Sequence, residues 1–596
     1  MCSIIGCRWT DEVASKLVKS LQRMEYRGYD SVGLATFTDQ ITVSKGVGRV
    51  VEVNKNKNLD AMPGKTGIGH TRWATHGKVC ELNAHPHLST KLGKVAVVHN
   101  GIIDNYEDIK KELKYDFISE TDSEVIANLL EHHYSLTGDA KAAMMRTLPQ
   151  LKGSYAFVAL FDDGTMTAAR HHEPLVVGVG VLGIFLASDV IGFIEYTDEA
   201  IYPDNNEFVI VNPEGYEDNL EFYDYHGHPI VHKTVKLSKE LADVYKDDYA
   251  HFTLKEINEQ PAKILCSGVG YTEQINQAYQ LINDAGSIFI TGSGTSYNAA
   301  LVAKQRFGML NVRFEPIISS ESRFTPQGFN SKSVLIAISQ SGESADVIDT
   351  VNDAKQAGAK IVSIINTITS SLARLSDVTI GLNCGPEIGV AATKSFTSQL
   401  AVLYKIAAKL ESNDLVSLMA MAGVNYFKID EISEAMRATL KNVQQVKSVA
   451  SILKDVNDVY ILGRGVHYAI ASEASLKLKE LAYIHAEGLP GGELKHGSLA
   501  LIDEQAHVIL LNPTDLTYNE MLNSAAQIKS RGAKIIGISN RNNTVYDHWI
   551  EIPTINELYY PLVEIIPIQL LAYYLALERN NDPDYPRNLA KCCTTR

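Results

Sequence analysis

The chain opens Met1-Cys2-Ser3-Ile4-Ile5-Gly6. A small residue in second place lets an initiator methionine be removed, and Cys2 then carries a thiol and a free α-amino group on one residue. A nucleophile of this kind needs an adjacent base, and a terminal amine serves. Its ordinary pKa of about 8 leaves a useful fraction unprotonated near neutrality. A cysteine near a chain start is more often inert, so the remainder of the chain has to decide between the two readings.

Two further groups of residues could do chemistry. The first is Ser339-Gln340-Ser341-Gly342-Glu343-Ser344, which follows the apolar run Val334–Ile338 and precedes a helical pattern. A strand, a hydroxyl-rich glycine turn and a helix N-terminus together offer N–H groups and a dipole to an anion such as phosphate. Gly292-Ser293-Gly294-Thr295-Ser296 adds hydroxyls of the same sort. Serine–glycine turns also cap helices without binding anything, and both readings stand for either loop alone. The second group carries charge. Lys477 and Glu480 are three apart in Ala474–Leu481, a stretch of good helix formers, so they share a face. Such a pair is usually a solvated ion pair. Glu493-Leu494-Lys495-His496-Gly497 sits in a glycine-bounded turn, where a histidine is a candidate for proton transfer.

The elements that must hold these residues fall into two parts. Residues 2–238 alternate short helices with strands. Val13, Leu17, Leu21 and Met24 recur at helical spacing over 11–25, and Val125, Ile126, Leu129 and Leu130 do so over 121–134. Val95–Val98 reads as a buried strand that runs into a turn at His99-Asn100-Gly101. Residues 239–277 form a linker and a helix, the helix ending near Pro261. Beyond it the chain repeats itself. Ile288–Tyr297 resembles Val459–Tyr468 at a separation of 171 residues, and Lys360–Asn366 matches Lys534–Asn540 at a separation of 174. Each copy alternates apolar strand runs with helices, which predicts two parallel sheets covered on both faces, over 278–420 and 449–585. Ligands of such sheets sit at the carboxyl ends of the strands. The copies are unequal. Where the first has its serine loop, the second has Asn512-Pro513-Thr514-Asp515, and Asp515 would repel phosphate. One phosphate site per pair is expected, in the first copy.

Composition narrows the class. The 596 residues are too many for one core, and they are 45% hydrophobic and 21% charged, as in ordinary globular domains. A net charge of −15 argues against a nucleic-acid footprint. No apolar run approaches the roughly 18 residues that span a bilayer, and no signal-peptide pattern opens the chain. Seven scattered cysteines without a C-x-x-C pair argue against a disulfide framework and for a reducing compartment, the cytoplasm. The 18 histidines show neither HExxH nor a zinc-ligand spacing, so no metal is expected. Gly292-x-Gly294 is followed by Tyr297 where a dinucleotide fingerprint needs a third glycine, and there is no Walker A sequence.

Taken together the motifs resemble one family, the isomerising glutamine–fructose-6-phosphate aminotransferases. The residues that carry the resemblance are Cys2, Tyr26–Ser31, His70–Gly77, His99–Ile103, Thr121–Glu124, Ser339–Ser344, Glu387–Ala391, Glu493–Gly497 and Pro586–Lys591, in this order over the whole chain. The resemblance implies an N-terminal αββα glutaminase sandwich, two sugar-isomerase domains and a tail over 586–596 that closes the sugar site. It implies that Cys2 attacks glutamine, that Asn100 and the Gly101 N–H form an oxyanion hole, and that Arg72, Trp73, Thr75, His76 and Asp122 bind glutamine, with Trp73 gating an ammonia passage. Thr295, Ser296, Ser339, Gln340, Ser341, Ser344 and Val390 are then the sugar-phosphate binders. His496 opens the ring, Lys591 forms an imine with the ketose, and Glu480 moves a proton between C1 and C2 with Lys477 close by. The partners implied are glutamine and fructose 6-phosphate, with a second copy in a homodimer and no cofactor.

The chain departs from the family pattern at Ser3 (usually Gly), Ser344 (usually Thr), Ser498 (usually Pro) and the tail Cys592-Cys593-Thr594-Thr595-Arg596. The region 203–240 lacks the long insertion of regulated forms, which implies no feedback inhibition by a nucleotide sugar. Three rivals are weaker. An uncoupled sugar-phosphate isomerase would not need Cys2, Arg72, Asn100, Gly101 and Asp122. A non-catalytic sugar-phosphate regulator would not need Glu480, His496 and Lys591. An amidotransferase acting on phosphoribosyl pyrophosphate would lack the duplicated half.

Overall fold

A computed structural model describes residues 2–74, 76–213, 220–237, 246–310, 312–325, 327–415 and 428–591. Thr75, most of the linker before Lys246 and the five residues after Lys591 therefore lie outside the described residues. The chain forms two compact units, Met1–Val244 with Ala590–Arg596, and Tyr245–Leu589.

The first unit is built on two antiparallel sheets. One has eight strands, with Ser3–Trp9 between Gly183–Ala187 and Thr66–Arg72 near its middle. The other has seven, and Val95–Ile103 pairs along its whole length with Gly153–Phe161. Strand alternation assigns each residue to a layer. Ile4, Ile68, Val98 and Val158 meet between the sheets, whereas Ile5 and Cys7 face out toward helix Ala14–Met24. That helix buries Ala14, Leu17, Val18, Leu21 and Met24, and Glu124–Thr137 covers the outer face of the second sheet. The result is the expected αββα sandwich.

One expectation is corrected here. His99-Asn100-Gly101 is not a turn, because the strand runs on to Ile103. Gly101 has φ +112° yet stays paired with Tyr155, and a Cβ there would stand 2.0 Å from the Ser154 carbonyl oxygen. Glycine lets the strand kink without leaving the ladder.

The second unit holds two five-stranded parallel sheets of identical topology. In strand order they are Glu315–Ile318, Ser287–Gly292, Ser333–Ser339, Lys360–Ile365, Val378–Gly381, and His485–Pro490, Asp458–Gly463, His507–Leu511, Lys534–Ser539, His548–Glu551. Both read 2-1-3-4-5, as the duplication requires. The order reverses between first and third strands, which places the ligand crevice of the first copy between the ends of Ser287–Gly292 and Ser333–Ser339. Equivalent helices Thr295–Gly308 and Val466–Lys477 share a single apolar core.

Two further corrections concern helices. Phe252–Cys266 does not end at Pro261 but passes through it. Proline removes one helical donor, and the Ile257 carbonyl left over accepts instead from Gln260 Nε2 at 2.9 Å. The segment Glu557–Glu578, with mean hydropathy 1.5, is long and apolar enough to cross a membrane, contrary to the expectation of no such run. Its most apolar stretch is 89% buried inside the unit, where it serves as a core helix.

Candidate active site

The thiol of Cys2 lies at the start of strand Ser3–Trp9. The Trp73 N–H donates to Sγ at 3.2 Å, and Sγ–H faces the Trp73 carbonyl at 3.5 Å. The Cys2 carbonyl accepts from Asn100 Nδ2 at 3.0 Å and from Arg27 Nε at 3.4 Å. Arg27 is held in turn by Asp189, which also accepts from Tyr26 Oη at 2.9 Å. Burial pushes the Cys2 thiol up, while the terminal ammonium, the Trp73 N–H and Arg72 pull it back. A thiol so placed needs a proton acceptor close by before it can attack. Ser3 does not disturb this backbone, because it pairs regularly with Thr71 and its hydroxyl donates to the Met24 carbonyl at 2.7 Å.

Of the other residues expected to bind glutamine, Arg72 ends strand Thr66–Arg72, while His76 and Asp122 lie in loops. Asp122 accepts from the Ile103 N–H at 2.8 Å and is buried beside the Asn100–Gly101 strand. The buried Arg72 guanidinium donates to the carbonyls of His76, Gly77 and Lys78, so it holds the turn that carries His76. His76 packs edge-on against Tyr106, with ring centroids 6.1 Å apart. Sequence reasoning missed Arg27, Asp189 and His70 as members of this site. All three lie outside the residues to which the resemblance gave a role, and only folding brings them to Cys2 or Asn100.

In the second unit, the serine loop folds as the sequence implies. The Gly342 N–H donates to Ser339 Oγ at 3.0 Å, the Glu343 N–H to Ser341 Oγ at 3.1 Å, and Ser344, 3.3 Å from Ser339 Oγ, precedes helix Ala345–Gln356. The Gln340 carbonyl ties the loop to the Asn366 N–H. Gly342 has φ +69°, and a Cβ there would collide with Ser370 Oγ at 2.0 Å. Ser296 Oγ accepts from Gln399 Nε2 at 3.0 Å. Val390 is buried in a loop whose backbone is held by Glu256 and by the Asp584 carbonyl.

The Lys477–Glu480 pair is buried on the lysine side rather than solvated. Lys477 Nζ is fully enclosed, 2.6 Å from Glu480 Oε2, 3.3 Å from Glu473 Oε1 and 3.1 Å from Thr295 Oγ1. Burial alone would lower its pKa, but the two carboxylates outweigh that and keep the ammonium charged. Glu473, which sequence reasoning missed although it lies one turn before Lys477, also accepts from Thr295 Oγ1 at 3.0 Å and Asn298 Nδ2 at 2.8 Å. The Thr295 hydroxyl is therefore engaged between the two copies. Glu480 stands in a π-helical turn, Leu478–Ala482, where the widened spiral re-aims side chains. Arg587 docks nearby: its N–H donates to Tyr483 Oη at 2.6 Å and its guanidinium lies 4.3 Å over the Tyr483 ring.

One expected member is not brought to this group. His496 is exposed on the turn Leu494–His496, and among the described residues no hydrogen bond joins its ring to Glu480 or the serine loop. Lys591 belongs to the first unit. Among the described residues, no group of three or more His, Cys, Asp or Glu is arranged to hold a metal ion.

The equivalent loop of the second copy is filled by its own side chains. His467, which stands where Ser296 does in the first copy, is buried between Glu564 at 2.9 Å and Asp515 at 2.9 Å. Its pKa is pushed up to about 10, since the carboxylates outweigh burial. Asp515 also accepts from the Thr517 N–H and hydroxyl.

A sandwich with a thiol at its leading strand, joined in one chain to a doubled parallel-sheet unit with one serine loop, defines a glutamine amidotransferase with paired SIS domains. The family models agree: a glutamine amidotransferase domain matches residues 70–194, and an SIS domain matches 281–409 and again 452–579. Full-length relatives include the glutamine–fructose-6-phosphate aminotransferases (isomerising) of Pyrococcus horikoshii, 41% identical, and Aquifex aeolicus, 38% identical, each covering 100% of both chains. A solved C-terminal domain of the glucosamine–fructose-6-phosphate aminotransferase of Francisella tularensis is 32% identical and covers 57% of this chain and 100% of its own, with a TM-score of 0.53. The chain belongs to the isomerising glutamine–fructose-6-phosphate aminotransferase family, and it is an enzyme.

Proposed function

We propose that the chain converts fructose 6-phosphate and glutamine to glucosamine 6-phosphate and glutamate, the first step of amino-sugar synthesis. The observation that carries this reading is the convergence of Cys2, Trp73 and Asn100 through direct hydrogen bonds in a chain that also holds the serine loop and the Lys477–Glu480 pair. Cys2, freed of Met1, attacks the glutamine amide, its own amine taking the thiol proton. Asn100 and the Gly101 N–H stabilise the oxyanion. Arg72 and Asp122, with Trp73, Thr75 and His76, hold the amino-acid end, and the ammonia released travels shielded from water, which would protonate it.

In the isomerase half, Ser296, Ser339, Gln340, Ser341 and Ser344, with Thr295 and Val390 beside them, hold the sugar phosphate at the helix N-terminus. His496 opens the ring, Lys591 forms the imine, and Glu480 carries the proton between C1 and C2. Lys477 stays cationic beside Glu480, 2.6 Å from its Oε2. The domains run 2–238, 278–420 and 449–585, with a linker over 239–277 and a closing tail over 586–596. The enzyme works as a homodimer in the cytoplasm. Incubating the purified chain with both substrates tests the proposal: glucosamine 6-phosphate and glutamate form in equal amounts. Glutamate without amino sugar would overturn it.

A further inference from the structure

Asn100 can serve as an oxyanion donor only if its carboxamide faces the right way, and a buried imidazole decides that. His70 lies in strand Thr66–Arg72, directly beside the strand that Cys2 leads, and is wholly buried. Its Nε2 stands 3.0 Å from the His99 carbonyl oxygen and 3.2 Å from Asn100 Oδ1. A peptide carbonyl only accepts, so Nε2 must carry the ring proton. The same N–H then reaches the Asn100 oxygen. Nδ1 has no hydrogen-bond partner among the described residues, and the ring lies against that of His85 with centroids 4.1 Å apart. Nothing there competes for a second proton, and burial keeps the ring neutral, with its pKa pressed down to about 3.

The consequence passes down a chain of three groups. With Oδ1 held by His70, Nδ2 points to Cys2 and donates to its carbonyl at 3.0 Å. The second Nδ2 hydrogen is left for the substrate. Turning the carboxamide over would set two donors against each other at His70 and two acceptors against each other at Cys2. Buried hydrogen bonds left unmade are strongly unfavourable.

We propose that His70 is a positioning residue of the glutaminase reaction, whose Nε2–H orients the Asn100 amide toward the oxyanion formed at Cys2. The inference rests on the reading of Asn100 as an oxyanion donor, and the test separates the two. Glutamate release is measured at saturating fructose 6-phosphate for the full-length wild type, His70→Phe, His70→Gln, Asn100→Ala and the His70→Phe/Asn100→Ala double variant. Loss of one oxyanion donor lowers kcat by about 10²–10³-fold. His70→Phe should lower kcat by roughly 10–100-fold with KM for glutamine within about twofold. His70→Gln, which keeps an N–H donor, should recover most of that loss, and the double variant should be no slower than Asn100→Ala, since residues acting as one unit are not additive. Fructose 6-phosphate isomerisation stays at the wild-type rate in every variant. His70→Met replaces phenylalanine if the larger ring disrupts packing on His85. Undiminished kcat in both apolar His70 variants beside a slow Asn100→Ala would overturn the positioning role alone. An Asn100→Ala variant of full activity would overturn the oxyanion reading itself.

Discussion

Asp515 Oδ2 lies 2.9 Å from His467 Nε2, at the place where the other sheet of the same unit presents its serine loop. The second copy thus supplies its own anion, and the imidazolium between Asp515 and Glu564 is the cation that holds it. Removing Asp515 leaves the imidazolium paired with Glu564 alone and loses one charge-assisted hydrogen bond, at about 1.5–3 kcal/mol. Asp515→Ala should lower the urea midpoint of the second unit accordingly at pH 7.

The same triad sets a pH dependence. His467 has a folded pKa of about 10, above the ordinary histidine value of about 6.5. A raised pKa means the folded state binds the proton more tightly, so this stabilisation is complete below pH ~6.5 and declines as pH rises through about 10. Urea unfolding of the wild type and His467→Gln between pH 6 and 9.5 should show the gap between them narrowing with rising pH. A gap that widened would contradict the charged triad.

The thiol gives the most direct prediction. Cys2→Ala should lose glutamine-dependent synthesis by several orders of magnitude, because among the described residues no other nucleophile stands at the Trp73 N–H. Fructose 6-phosphate isomerisation should persist, since Glu480 and the serine loop lie in the other unit. Intact mass of the active wild type should show Met1 removed. Synthesis by the Ala variant, or full activity with Met1 retained, would exclude Cys2 as the nucleophile.

What the sequence made legible follows from how far each signal reaches along the chain. Helices with apolar residues every three or four positions, such as Ala14–Met24, and the repeat that predicts two like sheets are local or periodic patterns. Gly101 misled because glycine after Asn marks a turn by composition, whereas the strand partner Tyr155, 54 positions away, keeps it in the sheet. Pro261 misled for a similar reason: the side chain of Gln260 supplies the donor that proline lacks. Glu473 and His70 were not legible as site residues because their partners, Thr295 and Asn100, are distant in sequence. Ser3, a departure from the family pattern, finds its acceptor in the Met24 carbonyl, 21 positions away.

The serine loop should fail through its backbone before its hydroxyls. Gly342 needs φ +69° and has Ser370 Oγ 2.0 Å from the position of any Cβ. Gly342→Ala should raise KM for fructose 6-phosphate at least about tenfold, a loss of about 1.4 kcal/mol, with glutamine binding unchanged. Ser344→Ala, which removes one hydroxyl at the helix start, should cost less. A sugar-phosphate analogue diffused into crystals should appear at Ser339–Ser344. Density at Asn512–Asp515 instead would reverse the assignment of the two copies.

Glu473 offers the sharpest test of how the copies depend on each other. It accepts from Thr295 and Asn298 of the first copy while pairing with Lys477 of the second. Glu473→Gln keeps the shape but removes one of the two charges that hold the Lys477 ammonium. Lys477 then leans wholly on Glu480, and the pair proposed to serve the isomerisation is rearranged. Isomerisation kcat should fall about 10–100-fold, with KM for fructose 6-phosphate little changed. Glu473→Ala, which also abandons Thr295 and Asn298, should in addition destabilise the unit. A glutamine variant with wild-type kcat would show that Glu473 only joins the two copies.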